Sequence, residues 1–291
     1  MSKIAVISDT HSNSAALRAV INDLVRRGVE RMWMLGDMVG RGVDPRGTLR
    51  FLANFKEQQH PHDQQGWLKG NHDTFVTDPN PHPETVVPAD TVHMDTYNRH
   101  LLQHREGDMI WVREHSTHSQ PYPGVYLVHA AYAFDDDGHL DEHATEHLRI
   151  NDPHNAIAML DAMHRHLSPK PKLVGFGHTH LTQLWRRTDW GSIERIPIQY
   201  GLPIKLDNLD HHTILFNPGS VGFPKEHDPS PTYAVIECAD HHFDNISITF
   251  HTVAYDPTAM MEAVRGSLPS IYWESINDLV QEKSGNLQEG R

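Results

Sequence analysis

The chain contains a single cysteine, Cys238, among its 291 residues, and this scarcity excludes an internal disulfide framework. It also lacks any apolar run that approaches the roughly 18 residues needed for a membrane-spanning helix. The segment from Met1 to Ser8 lacks a charged region followed by a cleavable apolar stretch. From these absences we expect a cytoplasmic protein in a reducing compartment, with no membrane partner.

Basic residues are scarce as well, since 25 lysines and arginines stand against 38 aspartates and glutamates and leave a formal net charge of −13. Proteins that bind polymeric nucleic acid usually present a basic surface that displaces counterions, so we expect no such partner here. A locally positive site can still attract a small anion. The composition therefore limits the size of the expected partner more than the sign of its charge, and it leaves the oligomeric state open.

Five short motifs in a fixed order each follow an apolar run. They supply two carboxylates, one amide and four imidazoles of the kinds that bind divalent metals, and one further histidine. Such ligands suit manganese, iron or zinc, whereas magnesium and calcium prefer an all-oxygen cage. The sequence thus predicts a site for two divalent transition-metal ions. The motifs are Asp9–His11, Gly36–Gly42 (GDMVGRG), Gly70–Asp73 (GNHD), His129 and Gly177–His180 (GHTH).

The charge of such a site would favour a phosphate substrate. If Asp9 and Asp37 are the only anionic ligands and a hydroxide bridges the ions, two divalent cations retain residual positive charge. Ions roughly 3.5–4 Å apart lower the pKa of bound water and hold the attacking and leaving oxygens of an in-line displacement. We expect Asp37 to be the bridging ligand.

In their order and their position at strand ends, the five motifs resemble those of the calcineurin-like metallophosphoesterase superfamily. A sixth segment, Asn217–Gly222 (NPGSVG), is most similar to the small bacterial and archaeal phosphodiesterase branch. The resemblance implies an α/β fold, a four-layer αββα sandwich of two mixed β-sheets flanked by helices. It also implies two metal sites, one formed by Asp9, His11, Asp37 and His180 and the other by Asp37, Asn71, His129 and His178.

The same resemblance assigns roles to two further side chains. His72 corresponds to the family's catalytic histidine, which is not a metal ligand and protonates the leaving oxygen or stabilises the transition state. Arg41 falls where the protein-phosphatase branch has a phosphate-binding arginine, and a planar guanidinium suits phosphate. Together with Asn71, Arg41 is thus expected to hold phosphoryl oxygens.

The chain departs from the protein-phosphatase branch in one position. That branch has an aspartate immediately before the arginine, where it pairs with the catalytic histidine, and this chain has Gly40. Asp44 and Asp73 are candidates to orient His72 instead, although Asp44 also has the position of a helix cap and Asp73 that of a turn residue. The departure weakens an assignment to the protein phosphatases.

The apolar pattern predicts a βαβ unit at the start of the chain, with strands at Lys3–Ser8 and Arg31–Leu35 and a helix at Ser14–Arg27 that Gly28 ends. Residues 77–124 are interpreted as an insertion over the site, with a helix near Asp90–Leu102 and a strand at Met109–Arg113. We expect one domain over residues 1–291, with a C-terminal helical tail from residue 256.

These observations predict a metal-dependent phosphoesterase that acts on a small nucleotide-like substrate, as a phosphodiesterase or a dinucleoside polyphosphate hydrolase. One alternative is a phosphomonoesterase, including a protein phosphatase. An alternative of another class is a non-catalytic interaction protein that keeps the fold, but such proteins typically lose ligands or the catalytic histidine, and here the set is complete. A nuclease is disfavoured by the acidic charge.

Overall fold

The computed structural model describes residues 2–59, 61–78, 89–188, 191–225, 230–239, 242–258 and 262. The strands are β1 (Ser2–Ile7), β2 (Arg31–Leu35), β3 (Trp67–Leu68), β4 (His118–Tyr122), β5 (Val125–Val128), β6 (Leu173–Gly175), β7 (Thr182–Arg187), β8 (Ile193–Arg195), β9 (Ile204–Leu206), β10 (Thr213–Pro218), β11 (Thr232–Ala239) and β12 (His242–Thr252). The helices are α1 (Ser14–Arg26), α2 (Pro45–Glu57), α3 (Pro61–Gln64), α4 (Asn71–Thr77), α5 (Ala89–Leu102), α6 (Glu106–Arg113), α7 (Glu142–His147) and α8 (Pro153–His166).

The predicted βαβ unit is confirmed. β1 and β2 pair in parallel, and α1 connects them. The side chain of Asn13 accepts a hydrogen bond from the backbone N of Ala16 and so caps the start of α1. Gly28 adopts a positive φ of 65° just beyond its end, a conformation that costs glycine little.

Two six-stranded mixed sheets form the centre of the molecule. The first has the order β3-β2-β1-β11-β12-β9 and the second the order β4-β5-β6-β10-β7-β8. In the first sheet β1, β2 and β3 run parallel, and in the second β5, β6 and β10 run parallel. The remaining neighbours are antiparallel. The carboxyl ends of each parallel set therefore meet at one edge of its sheet.

Three hydrophobic clusters define the layers. One packs α1 and α2 on the outer face of the first sheet, with Leu17 and Leu52 fully buried. A second fills the space between the sheets, where Val6 and Trp33 meet Phe216. The third packs α8 on the outer face of the second sheet. Each sheet thus buries one face against helices and the other against its partner sheet, which confirms the four-layer αββα sandwich.

One local prediction was wrong, because Met109–Arg113 belongs to helix α6 and not to a strand. Its run of apolar residues is too short to distinguish the two by periodicity. Glu106 and Asp108 in the first turn and Arg113 in the last turn complement the helix dipole, and Val112 is buried while Ile110 is 39% exposed.

The structure tests the remaining regional predictions only in part. The helix expected near Asp90–Leu102 is present as α5. Most of the tail expected from residue 256 lies outside the described residues, so the single domain and the bounds of the insertion stay predictions. Among the described residues, every helix is too short or too polar to cross a bilayer.

Candidate active site

Six of the seven predicted ligands lie in loops that follow the parallel strands of both sheets, and the seventh, Asn71, is the first residue of α4. Asp9 and His11 follow β1, and Asp37 follows β2. Backbone hydrogen bonds hold these loops together, from the N of His11 to the O of Asp37 at 2.9 Å and from the N of Gly177 to the O of His129 at 2.8 Å. The second bond joins the loop after β6 to the loop after β5. The fold thereby gathers ligands from distant parts of the chain at one edge of the two sheets.

The backbone at these positions is strained. Five of the seven predicted metal ligands have a positive φ, a conformation that is uncommon for residues other than glycine. Such strain persists only where surrounding structure enforces it, and it clusters at functional sites. The strained conformations of these loops therefore hold the five side chains in fixed orientations. The five are Asp9, His11, Asp37, His178 and His180.

The first group of ligand atoms comprises Asp9, His11 and His180, all buried and within 4.8 Å of one another. The Nε2 atoms of His11 and His180 are 3.1 Å apart, and Oδ1 of Asp9 lies 3.3 Å from Nε2 of His180. The Nδ1–H of His180 donates to the backbone O of Phe223 at 2.6 Å, which leaves Nε2 directed into the group. These atoms can hold one cation.

The second group comprises Asp37, His129 and His178, and Asn71 adds its amide. Oδ1 of Asn71 lies 3.2 Å from Nε2 of His129 and 3.0 Å from Nδ1 of His178. The Nδ1–H of His129 donates to the backbone O of Leu35 at 2.7 Å, so its Nε2 also faces the group. These atoms can hold a second cation.

Asp37 lies between the two groups. Its Oδ2 atom is 3.6 Å from Nε2 of His11 and 3.3 Å from Nε2 of His129. Its other oxygen, Oδ1, accepts a hydrogen bond from the backbone N of His72 at 2.9 Å. One carboxylate thus faces both groups at once, as the predicted bridging ligand requires.

Two buried polar atoms of the first group have no hydrogen-bond partner among the described residues, Oδ1 of Asp9 and Nδ1 of His11. A buried polar atom without a partner costs free energy, roughly 1–3 kcal/mol. Coordination of a cation by Asp9 would remove that cost for the carboxylate. The donor set therefore fits metal binding, and its mixture of carboxylate, amide and imidazole suits a transition metal.

The pKa shifts of four residues in the cluster also favour metal binding. Burial lowers the pKa of His11, His178 and His180 well below the usual histidine value, so these imidazoles are neutral. Burial would raise the pKa of Asp37, but His129 and the neighbouring histidines hold it well below its ordinary value. A neutral imidazole and an ionised carboxylate are the forms that bind metal.

Two residues of the cluster shift in the opposite direction. Burial raises the pKa of Asp9 to about 6. Burial would lower the pKa of His129, but Asp37 raises it to about 10. The proton on His129 thus balances the charge of Asp37, and a bound cation would take over that role.

His72 contacts an aspartate that the sequence analysis missed. Its Nδ1 lies 2.9 Å from Oδ2 of Asp95, which α5 supplies, and both side chains are almost fully buried. Burial would lower the pKa of His72, but Asp95 and Asp37 raise it. No sequence signal marked Asp95, because it lies on a helix outside all five motifs.

The lack of a side chain at Gly40 allows Asp95 to contact His72. A Cβ atom on Gly40 would lie 2.6 Å from Oδ1 of Asp95 and 2.9 Å from Cβ of His72, and Gly40 has a φ of 87°. The backbone N of Arg41 also donates to Asp95 at 3.2 Å. The absence of a side chain at residue 40 therefore makes room for a carboxylate from α5.

Neither candidate for orienting His72 does so. Asp44 caps α2 by accepting from the backbone N of Gly47, which is the helix-cap role considered for it. Asp73 accepts hydrogen bonds from the backbone N atoms of Met38 and Val39 and thereby ties α4 to the Asp37 loop. Both carboxylates therefore bind backbone N–H groups, and it is Asp95 that contacts the ring of His72.

Arg41 lies beside His72, and its Nε donates to Nε2 of that histidine at 3.2 Å. His72 also falls in a third group of potential ligand atoms, with His11 and Asp37. Because Asp95 occupies Nδ1 and Arg41 faces Nε2, the contacts of His72 differ from those of His129 and His180, whose Nε2 atoms point into the ligand groups.

The segment Asn217–Gly222, the sixth segment of the resemblance, begins at the end of β10 and contacts two of the ligand-bearing loops. The side chain of Asn217 donates to the backbone O of Gly177 at 2.7 Å. Ser220 donates through its hydroxyl to the backbone O of Asp9 at 3.0 Å. This segment therefore fixes the loops after β1 and β6 relative to each other.

Comparisons with known proteins identify the family and the fold of the chain. Residues 2–241 match the model of the calcineurin-like phosphoesterase superfamily domain. A metallophosphoesterase from Sphaerobacter thermophilus has the same fold, with a TM-score of 0.68 and 22% identity over 93% of this chain and 97% of that chain. A hypothetical protein from Pyrococcus horikoshii OT3 gives a TM-score of 0.63 and 16% identity over 94% and 97%.

A sequence relative covers a shorter stretch. An uncharacterized protein of Methanocaldococcus jannaschii is 57% identical over 53 residues, which are 18% of this chain and 22% of that protein. The chain thus matches about a fifth of that relative's length.

Proposed function

The chain belongs to the calcineurin-like phosphoesterase superfamily, and within it we propose a metal-dependent hydrolase that cleaves a phosphoester or phosphoanhydride bond in a small nucleotide-like substrate. A phosphodiester or a dinucleoside polyphosphate fits this role. The net charge of −13 supports a small substrate over a polymeric one. The scarcity of cysteine supports a cytoplasmic location.

The observation that carries the proposal is the position of Asp37 between two groups of ligand atoms. Asp9, His11 and His180 would hold one divalent ion together with Asp37, and Asn71, His129 and His178 would hold the other. Bound ions would supply Lewis acidity to the phosphoryl group and activate the attacking water.

His72 donates a proton to the leaving oxygen in this proposal. Asp95 accepts from its Nδ1–H, which fixes the orientation of the ring and directs Nε2 to the substrate side. A histidine held this way can act as a general acid, because a positioned proton lowers the barrier for a poor leaving group. Asp95 is therefore a positioning residue that acts through His72.

Arg41 binds a phosphoryl oxygen beside Nε2 of His72 in this proposal. Its guanidinium contacts Nε2 of His72 and forms no ion pair with a described carboxylate. A phosphoryl oxygen offers a stronger, charge-assisted hydrogen bond than a neutral imidazole nitrogen does. We therefore expect substrate to draw Arg41 away from Nε2 of His72, so that this nitrogen can take up a proton from solvent and then donate it to the leaving oxygen.

Activity on a panel of substrates tests the proposal. The full chain, loaded with manganese, iron or zinc, is assayed on an aryl phosphodiester, an aryl phosphomonoester, a dinucleoside polyphosphate and a phosphopeptide. We expect hydrolysis of the diester or the polyphosphate, loss of activity in excess chelator, and two metal ions per chain by elemental analysis. Less than one ion per chain after loading, or full activity in chelator, contradicts the two-metal proposal.

A further inference from the structure

Arg41, the proposed phosphate-binding residue, lies at the centre of a tight turn. The backbone N of Gly42 donates to the backbone O of Gly40 at 2.6 Å and so closes a three-residue turn around Arg41. Arg41 has a φ of 54°, and a turn of this kind with a positive φ at its central residue is rare and strained. Such a conformation persists only where the surrounding structure enforces it. The direction of the Arg41 side chain therefore depends on the contacts that hold this turn.

Asn98 on α5 binds both ends of the turn. Its Oδ1 accepts a hydrogen bond from the backbone N of Gly40 at 3.3 Å, and its Nδ2 donates to the backbone O of Gly42 at 2.8 Å. The side chain is fully buried. Asp95, about one turn earlier on the same helix, accepts from the backbone N of Arg41. Side chains of α5 thus bind three consecutive residues of the turn.

The amide of Asn98 uses its whole hydrogen-bonding capacity. An asparagine side chain has two acceptor positions and two donors. Its second acceptor position takes the hydroxyl of Ser12, and its second donor binds the backbone O of Met94 at 2.8 Å. A rotated amide would place its NH₂ group against the N–H of Gly40 and its oxygen against two carbonyl oxygens. One orientation of the amide therefore satisfies all four partners and fixes the backbone around it.

The same turn packs against the first ligand group. A Cβ atom on Gly42 would collide with the backbone O of His11, so the two loops are in direct backbone contact. From this position Nε of Arg41 reaches Nε2 of His72 at 3.2 Å. A shift of the turn would move the guanidinium relative to the ligand group and to the proposed acid, and misplacement by about 1 Å can cost roughly 100-fold in rate.

We propose that Asn98 is a positioning residue that acts through Arg41. Its amide fixes the backbone on both sides of Arg41 and thereby presents the guanidinium to the phosphoryl group. This inference rests on the proposed function, in which Arg41 binds a phosphoryl oxygen. It adds a residue from α5, outside all the motifs, that touches neither substrate nor metal.

Asn98→Asp tests this role because the two side chains have the same shape. The carboxylate still accepts from Gly40 and Ser12. Its second oxygen, however, faces the carbonyl oxygens of Gly42 and Met94 without a hydrogen between them. Asn98→Ala, which leaves room for water in place of the amide, gives the same test if the aspartate variant does not fold.

The probe is phenylphosphonate, whose oxygens stand for those of a phosphoryl group and whose carbon–phosphorus bond resists hydrolysis. Calorimetry on the full manganese-loaded chain measures its Kd. In Asn98→Asp we expect the Kd to rise about tenfold, comparable to the loss of one hydrogen bond to a charged group. Metal content should stay unchanged, because the contacts of Asn98 include no predicted metal ligand.

A double-mutant cycle with Arg41→Gln separates positioning from a merely structural role. If Asn98 acts through Arg41, adding Asn98→Asp to Arg41→Gln should change the Kd by less than about twofold, since the guanidinium is already absent. Two independent losses would multiply instead.

Leu102→Ala is the matched control for lost stability. Leu102 is the last residue of α5 and is fully buried in the core on the outer face of the first sheet. The substitution should lower the melting temperature at least as much as Asn98→Asp does, because it leaves a cavity. It should leave the Kd of phenylphosphonate unchanged.

An unchanged Kd in the Asn98 variants, losses that multiply in the cycle, or an equal rise in Kd in Leu102→Ala overturn the inference. Calorimetry is independent of turnover, so the proposed function is judged separately. If the cycle behaves as expected but no phosphoester is hydrolysed, the positioning role stands and the proposed function fails. If hydrolysis proceeds while the Asn98 variants bind phenylphosphonate as the parent does, the proposed function stands and the positioning role fails.

Discussion

Oδ2 of Asp95 lies 2.9 Å from Nδ1 of His72, although 23 positions separate the two residues in the sequence. Oδ1 of the same carboxylate also accepts from the backbone N of Arg41 at 3.2 Å. One side chain from α5 thus holds both the ring of the proposed acid and the backbone of the proposed phosphate-binding arginine. The region interpreted as an insertion contributes directly to the site.

Asp95→Asn should lower kcat by roughly 10–100-fold, the usual effect of losing a partner that orients a histidine. The amide keeps the size of the side chain but removes the charge that fixes the Nδ1–H form of His72. Both metal ions should stay bound, and KM should change little. Steady-state kinetics and elemental analysis measure these effects.

The control for that variant is Asp108→Asn, which removes a carboxylate that pairs with Arg105 on the neighbouring helix α6. It should leave kcat unchanged. An Asp95→Asn protein that turns over as fast as the parent would show that Asp95 does not position His72.

His72→Ala should retain both metals, because the proposed ligand sets are complete without His72. The rate should fall by roughly 10²–10⁴-fold, the usual contribution of a positioned general acid. The fall in rate should be large for an alkyl phosphodiester, because its alkoxide needs a proton. It should be small for a nitrophenyl ester, because its phenolate leaves largely unaided. Kinetics on both esters, with metal content measured alongside, test this.

Two results would argue against that role for His72. Metal lost in parallel with activity would make it a ligand, as the third group of potential ligand atoms permits. A defect of equal depth for both esters would exclude protonation of the leaving group.

Asp37→Ala should remove metal from both sites, because its carboxylate faces His11 and His129 at once. Asp9→Ala and His129→Ala should each weaken mainly one site. Metal stoichiometry across the three purified variants distinguishes these outcomes. Equal losses of one ion in all three would make Asp37 an ordinary terminal ligand.

Asp23→Asn should reduce stability at neutral pH by about 2 kcal/mol. Burial alone would raise the pKa of Asp23, but hydrogen bonds from Tyr233, Arg27 and Arg26 lower it from 3.8 to about 2. Since the folded pKa lies below the unfolded value, the carboxylate stabilises the protein above about pH 4 and loses this effect as the pH falls towards 2.

Urea unfolding of the parent and of Asp23→Asn at several pH values checks the sign. The difference in free energy of unfolding should be largest at neutral pH and should shrink between pH 4 and pH 2. The control Asp137→Asn, in an exposed turn, should show no such gap. A difference in free energy of unfolding that grows as the pH falls would contradict the stabilising role of the Asp23 carboxylate.

The sequence by itself predicted which side chains form the two ligand groups and which layers of the fold carry them. Asp9, Asp37 and Asn71 each come just after a strand of a parallel set, and parallel strands end at one edge of their sheet. The local order of strand, loop and helix therefore predicts convergence. The same reasoning predicted the βαβ unit, since its apolar periodicities are long enough to be unambiguous.

Only the tertiary structure decided which residues approach these ligands from other elements. Asp95 on α5 lies outside the five motifs, and nothing in its local sequence indicates a position beside His72. Its position depends on how α5 packs against α4 and α2. The prediction of a strand at Met109–Arg113 was wrong for a related reason. A short apolar run is compatible with a helix or a strand, and tertiary packing decides between them.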